Sequence, residues 1–164
     1  MRIALLIALV LLTSCTSHSL MNHPQVTSEE VFIVEMIPHH QEAVDTSRMM
    51  LASENEAVRG LAQEIISAQE QEIAMMRGWM QEWYPSSTYT STYMNMMPDL
   101  NTLEGAQKDK AYLRSMQEHH EAAIQMAQQA RSLTLRPEVD DLTEAIITTQ
   151  TAEIKQMDAL LQQI

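Results

Sequence analysis

At 164 residues the chain has the length of one ordinary domain with a single buried core, and its 45% hydrophobic content is normal for a globular protein. A formal net charge of −12 argues against nucleic acid or an anionic membrane surface as a partner. Three Gly and five Pro against long Glu, Gln, Ala, Met and Leu stretches point to an all-helical chain, and 4% aromatic content leaves its core to aliphatic and thioether groups; the 14 Met are the outlier.

The N-terminus begins with Met1-Arg2 and an unbroken apolar run from Ile3 to Leu12. That run is too short to span a bilayer as a stable helix but suits a secretory signal. It ends in Leu12-Thr13-Ser14-Cys15, which is similar to a bacterial lipobox. The resemblance implies a signal peptide over 1–14 and a lipidated Cys15 as first mature residue. The expected location is the periplasmic side of the cell envelope, anchored to a membrane through the lipid. Cys15 is the sole cysteine, so no intrachain disulfide forms and no thiolate remains for a metal.

Residues 16–27 are polar, contain Pro24 and read as a flexible tether. Four amphipathic segments then fill a domain over 28–164. The first opens on a cap pattern at Thr27-Ser28-Glu29-Glu30 and runs to about Ser53, with Pro38 expected to kink it. The second starts near Asn55 and stops at Pro85. A loop over 86–101 precedes a third segment, from Leu103 or Gln107 to Ser132. Pro137 opens the fourth, which continues almost to Ile164. The expected fold is a four-helix bundle.

The two halves look like copies. Met36-Ile37-Pro38-His39-His40 matches Met116-Gln117-Glu118-His119-His120 eighty positions later; Glu72-Ile73 with Met76 matches Glu153-Ile154 with Met157 one position further offset. Each half is therefore a helical hairpin, and together they make a pseudo-symmetric bundle.

Within each copy the pattern M-x-x-H-H sets a Met one helical turn before two His. Adjacent residues lie about 100° apart around a helix, so one His of each pair is expected to face the core and the other its edge. With turns near Glu54 and Thr134, antiparallel pairing puts Gln69, Glu72 and Met76 level with Met36 and His40. It puts Gln150, Glu153 and Met157 level with Met116 and His119. The candidate metal ligands are thus Met36, His39, His40, Glu72, Met76, Met116, His119, His120, Glu153 and Met157. Thioether with imidazole suits Cu(I), and imidazole with carboxylate suits Cu(II) or Zn.

A ferritin-like di-iron enzyme is the rival and needs E-x-x-H on two helices. Here Met36 and Met116 stand where those carboxylates belong, which disfavours iron; Glu72 and Glu153 keep the rival open at low weight. No nucleophile with its base and no phosphate loop appears, so an enzyme is not expected. A metal-free structural or interaction bundle is the other alternative. His18, Met21 and His23 in the tether are weak evidence, whereas Met94, Met96 and Met97 in the loop add support for a soft cation. Met49, Met50, Met75, Met80 and Met126 read as core filling, and Trp79 with Trp83 as packing at the bundle end.

These repeated motifs resemble a bacterial family catalogued as a domain of unknown function, number three hundred and five. It is described as ferritin-like and includes CopM-like copper-binding proteins. The resemblance covers roughly Ser28 to Ile164 and implies a four-helix bundle outside the cytoplasm that binds copper through Met and His. The second copy departs at Glu118 (for Pro38) and at Ala130 (for Met50). The expected partners are a metal ion and the anchoring membrane; a second copy of the chain or a copper-handling protein stays open.

Overall fold

A computed structural model describes residues 25–164; the signal segment, Cys15 and the His18, Met21 and His23 cluster lie outside them. Four helices form: α1 (Glu29–Met49), α2 (Glu56–Trp83), α3 (Gly105–Ala130) and α4 (Pro137–Leu161), with one 3-10 turn (Met50–Ala52) after α1. No strand occurs among the described residues. Among the described residues no helix is long and apolar enough to cross a membrane.

The helix starts follow local chemistry. Ser28 accepts a bond from the Val31 amide, and the Asn55 side chain accepts from Ala57 and Val58, satisfying first-turn donors that have no partner inside the helix. Pro137 opens α4, where its missing N–H costs nothing. α1 is assigned as one helix through Pro38. Val26, assigned above to the tether, packs into the core and donates its amide to Gln129.

α1 pairs with α2 and α3 with α4 as two hairpins, joined mainly where α1 packs on α3. The interior has two apolar cores stacked along the bundle. One holds Phe32, Ile33 and Met36 of α1, Met76 of α2, Ala123 and Met126 of α3 and Ile146 of α4. The other holds Ala43 of α1, Met50 of the 3-10 turn, Leu61 and Ile65 of α2, Leu113 and Met116 of α3 and Met157 of α4. All four helices therefore feed both cores. Met75 is 46% exposed and is not core filling, because it lies about 100° from the buried Met76 on the solvent side of α2. Trp79 and Trp83 do close one end, stacked at 5.2 Å, with the Arg136 guanidinium over Trp83.

Candidate metal centre

Between the two cores lies a polar layer. On each helix in turn it occupies the gap between residues of one core and those of the other: His39 and His40 on α1, Gln69 and Glu72 on α2, His119 and His120 on α3, Gln150 and Glu153 on α4. All four His are at most 1% exposed. The expectation that one of each pair would face an edge is thus corrected. α1 packs on both α2 and α3, so two adjacent residues 100° apart each meet a different neighbour. His40 turns to α2 and His120 to α4, whereas His39 and His119 meet across α1 and α3 with ring centroids 3.8 Å apart.

The methionines flank this layer rather than lying within it. Met36 and Met76 belong to one core and Met116 and Met157 to the other, all fully buried. Each hairpin thus sets its two thioethers on one side of the histidines, and the other hairpin sets its pair on the opposite side.

The carboxylates have a specific place. His40 Nε2 lies 2.7 Å from Glu72 Oε2, and His120 Nε2 lies 2.8 Å from Glu153 Oε2. His119 Nε2 faces Glu42 at 3.4 Å. The Nδ1 atoms of His40, His119 and His120 are buried with no hydrogen-bond partner, as are the amide atoms of Gln69 and the amide oxygen of Gln150. A buried N–H without an acceptor is the more costly orphan, so Nε2 carries the proton and donates to carboxylate, and Nδ1 keeps a bare lone pair. Burial lowers the basicity of His119 to about 4, against the raising effect of Glu42, and that of His120 to about 3, assisted by the nearby His40. Both imidazoles are neutral at pH 7, the state in which nitrogen binds a metal. Glu153 is pushed up to about 7 by burial and by the charge of Glu72 across the bundle.

Among the described residues no three His, Cys, Asp or Glu side chains converge on one point as a ready-made metal site. The reason is visible in the bonding: Glu72 and Glu153 sit on the far nitrogens of their histidines. From there they orient imidazole, as carboxylates behind metal-bound histidines do. The donors left without a hydrogen-bond partner are the Nδ1 atoms of His40, His119 and His120, with the thioethers buried in the cores on either side.

Two further carboxylates were not singled out by the sequence pattern, whereas Tyr89 and Tyr93 accompany the loop methionines in it. The segment between α2 and α3 is no free loop but a strap laid over α1. Glu35, fully buried, accepts from Tyr89 Oη, Ser91 Oγ and both the amide and hydroxyl of Thr92. Glu42 accepts from Tyr93 Oη and from the Met96 and Met97 amides. Burial pushes the Glu42 carboxyl up, but hydrogen bonds from His119, Tyr93 and those two amides outweigh it and hold the group down at about 2. Tyr93 lies edge-on to His39 at 5.3 Å, and its hydroxyl is 3.3 Å from His119 Nε2. The available signal was the seven-residue spacing of Glu35 and Glu42 on one face of α1, opposite a stretch rich in hydroxyls. The second copy carries Ser115 and Ala122 at these positions, so the strap covers one half only. Of the loop methionines Met94 is 79% exposed, whereas Met96 and Met97 are half-buried.

Residues 29–161 match the model of a family described as a domain of unknown function, DUF305. No curated protein matches the chain in sequence. Among solved structures, CopM in its Cu(I)-bound form is similar at 36% identity and a TM-score of 0.75, over 83% of this chain and 96% of that one. CopM in its Cu(II)-bound form gives 36% identity and 0.74, over 83% and 97%. A DUF305 fragment from Deinococcus radiodurans gives 31% identity and 0.72, over 86% and 100%.

Proposed function

The chain belongs to the DUF305 family, and from that premise we propose that it binds copper in its histidine layer and sequesters it or hands it on outside the cytoplasm. The observation that carries the reading is the set of buried, unpartnered Nδ1 atoms on His40, His119 and His120, beside buried methionines. Each orphaned polar atom costs about 1–3 kcal/mol. A bundle selected for stability alone would fill such a layer with aliphatic groups. A thiophilic cation relieves the cost, and thioether with neutral imidazole is a donor set for Cu(I). His40 and His120 would hold it through Nδ1, each with the Met pair of its own hairpin, Met36 with Met76 and Met116 with Met157. His39 and His119 would supply donors at the centre, and Glu72 and Glu153 would fix the imidazoles. The copper-bound CopM structures support the same reading.

The lipobox-like Leu12-Thr13-Ser14-Cys15 supports export and a lipid anchor, which would put the bundle at the cell envelope. Zinc is the second choice of metal. A di-iron centre has less support, because Met36 and Met116 occupy the positions where it needs carboxylates.

The test is titration of the purified chain with Cu(I) against a competing chelator, in the native protein and with His39, His40, His119 and His120 all changed to Ala. Tight binding lost in the variant supports the site. Affinity indifferent to the four substitutions, or no uptake by the native chain, overturns it in favour of a metal-free structural bundle.

A further inference from the structure

The four histidines and four methionines of the layer and its flanks are all at most 1% exposed. An ion from solvent therefore reaches them only where part of the protein moves aside. The helices are poor candidates, since each contributes to both apolar cores and cannot shift without opening them. The strap between Trp83 and Gly105 has no helical structure of its own, and most of its grip is polar. Its apolar anchorage lies towards its two ends, from Tyr84 at the start and from Met97, Leu103 and the fully buried Leu100 late in it. From Tyr89 to Met97 the hydrogen bonds to the bundle end mostly on two side chains, Glu35 and Glu42, with one longer contact from Tyr93 Oη to His119 Nε2.

The strap also lies in the right place. Tyr93 is edge-on to His39 and within reach of His119 Nε2, so its ring stands over the pair at the centre of the bundle. Met94, on the same stretch, turns its thioether outward, which offers a soft cation a donor on the solvent side.

We propose that this strap is the door to the histidine layer, with Tyr93 as the plug and Glu35 and Glu42 as the latch, so that its opening sets the rate of metal entry and exit. The inference rests on the reading of the layer as a copper site and adds the route into it. Glu35 and Ser91 act at a distance from the metal and position the strap. The second hairpin has no such latch, because Ser115 and Ala122 replace the two acids, so entry is one-sided in an otherwise symmetric bundle.

The test uses the purified full chain, Glu35→Gln, and a milder double variant, Tyr89→Phe with Ser91→Ala, which touches strap residues only. Uptake from a Cu(I) chelator and release to a stronger one are followed by stopped flow. Access in metal-free protein is followed by histidine modification with diethyl pyrocarbonate. Charge-assisted bonds to a carboxylate are the stronger kind, so loss of two should speed uptake and release alike by about tenfold. Equilibrium affinity should stay put, and histidine modification should quicken to match. Unchanged rates in a variant whose Thr92 amide exchanges faster with solvent would overturn the door, as would a change in affinity without a change in rates. A native chain that binds no copper at equilibrium would sink the copper reading instead, while the modification rates still report on the door.

Discussion

His40 Nε2 rests 2.7 Å from Glu72 Oε2 across the first hairpin, and this bond decides which ring nitrogen is left without a partner. With Nε2 committed to the carboxylate, Nδ1 is left buried with its lone pair bare. The second hairpin repeats the arrangement through His120 and Glu153. Replacing the carboxylate by an amide keeps its shape but removes the charge that holds the imidazole's proton. Glu72→Gln and Glu153→Gln should each weaken Cu(I) binding about 10- to 100-fold, read by chelator competition. An effect as large as loss of the histidine itself would make the carboxylate a direct ligand.

Filling the layer should stabilise the fold. A ligand that binds only the native state, present at a thousand times its dissociation constant, contributes about 4 kcal/mol. For a domain of this size that is a rise of about 10 °C in melting temperature. Differential scanning calorimetry with and without Cu(I) measures it, and His40→Ala with His120→Ala should abolish the rise. A rise that persists in that variant would locate the metal elsewhere.

Below the polar layer Ser47 and Tyr112 share a fully buried hydrogen bond of 2.8 Å. Tyr112→Phe leaves the Ser47 hydroxyl without that partner, and should cost about 1–3 kcal/mol in urea unfolding. Copper affinity should be unchanged, because neither residue belongs to the histidine layer.

The strap should respond to acid. Burial raises the Glu35 carboxyl, but bonds from Ser91, Thr92 and Tyr89 outweigh it and leave the group below its ordinary 4.5, as Glu42 is held at about 2. A carboxylate depressed on folding contributes its stability fully above the unfolded value and loses it as pH falls through the folded one. Strap docking should therefore be complete above pH 4.5 and weaken progressively towards pH 2. The amide shifts of Thr92, Met96 and Met97 by NMR report it, and release beginning near neutrality would contradict the assignment.

At the other end of the chain, Cys15→Ser should move the protein from the membrane fraction to the soluble fraction of its cells. Unchanged membrane partition would mean that something other than a lipid on Cys15 holds it.

The hairpins and their register were legible in the sequence. Once the turns are placed near Glu54 and Thr134, antiparallel geometry sets His40 opposite Ala68 and Met36 opposite Glu72, which brings Gln69, Glu72 and Met76 to the level of the motif. The structure pairs His40 with Glu72, one helical turn further along, and has Met36 and Met76 in one core. The double burial of each His pair was not legible, since periodicity describes one helix and not how many neighbours it has. Glu35 and Glu42 were hidden for another reason. In a chain with 22 acidic residues an acid on a helix reads as solvated surface. Only the fold of the strap onto α1 distinguishes these two. Met75 misled for the same reason as the histidines, because a Met-Met pair on a helix shares no face.

His39 and His119 are the same position in the two copies, and their rings meet at 3.8 Å, tilted by 40°. A residue that meets its own counterpart marks a two-fold axis, the signature of an isologous dimer. Since each hairpin supplies only part of both apolar cores, a single unfused hairpin would have nothing complete to fold around and would exist only as a pair. Joining the pair into one chain freed each half to change alone. The strap is the consequence: the segment that joins the halves docks on Glu35 and Glu42 of the first, positions that Ser115 and Ala122 fill in the second.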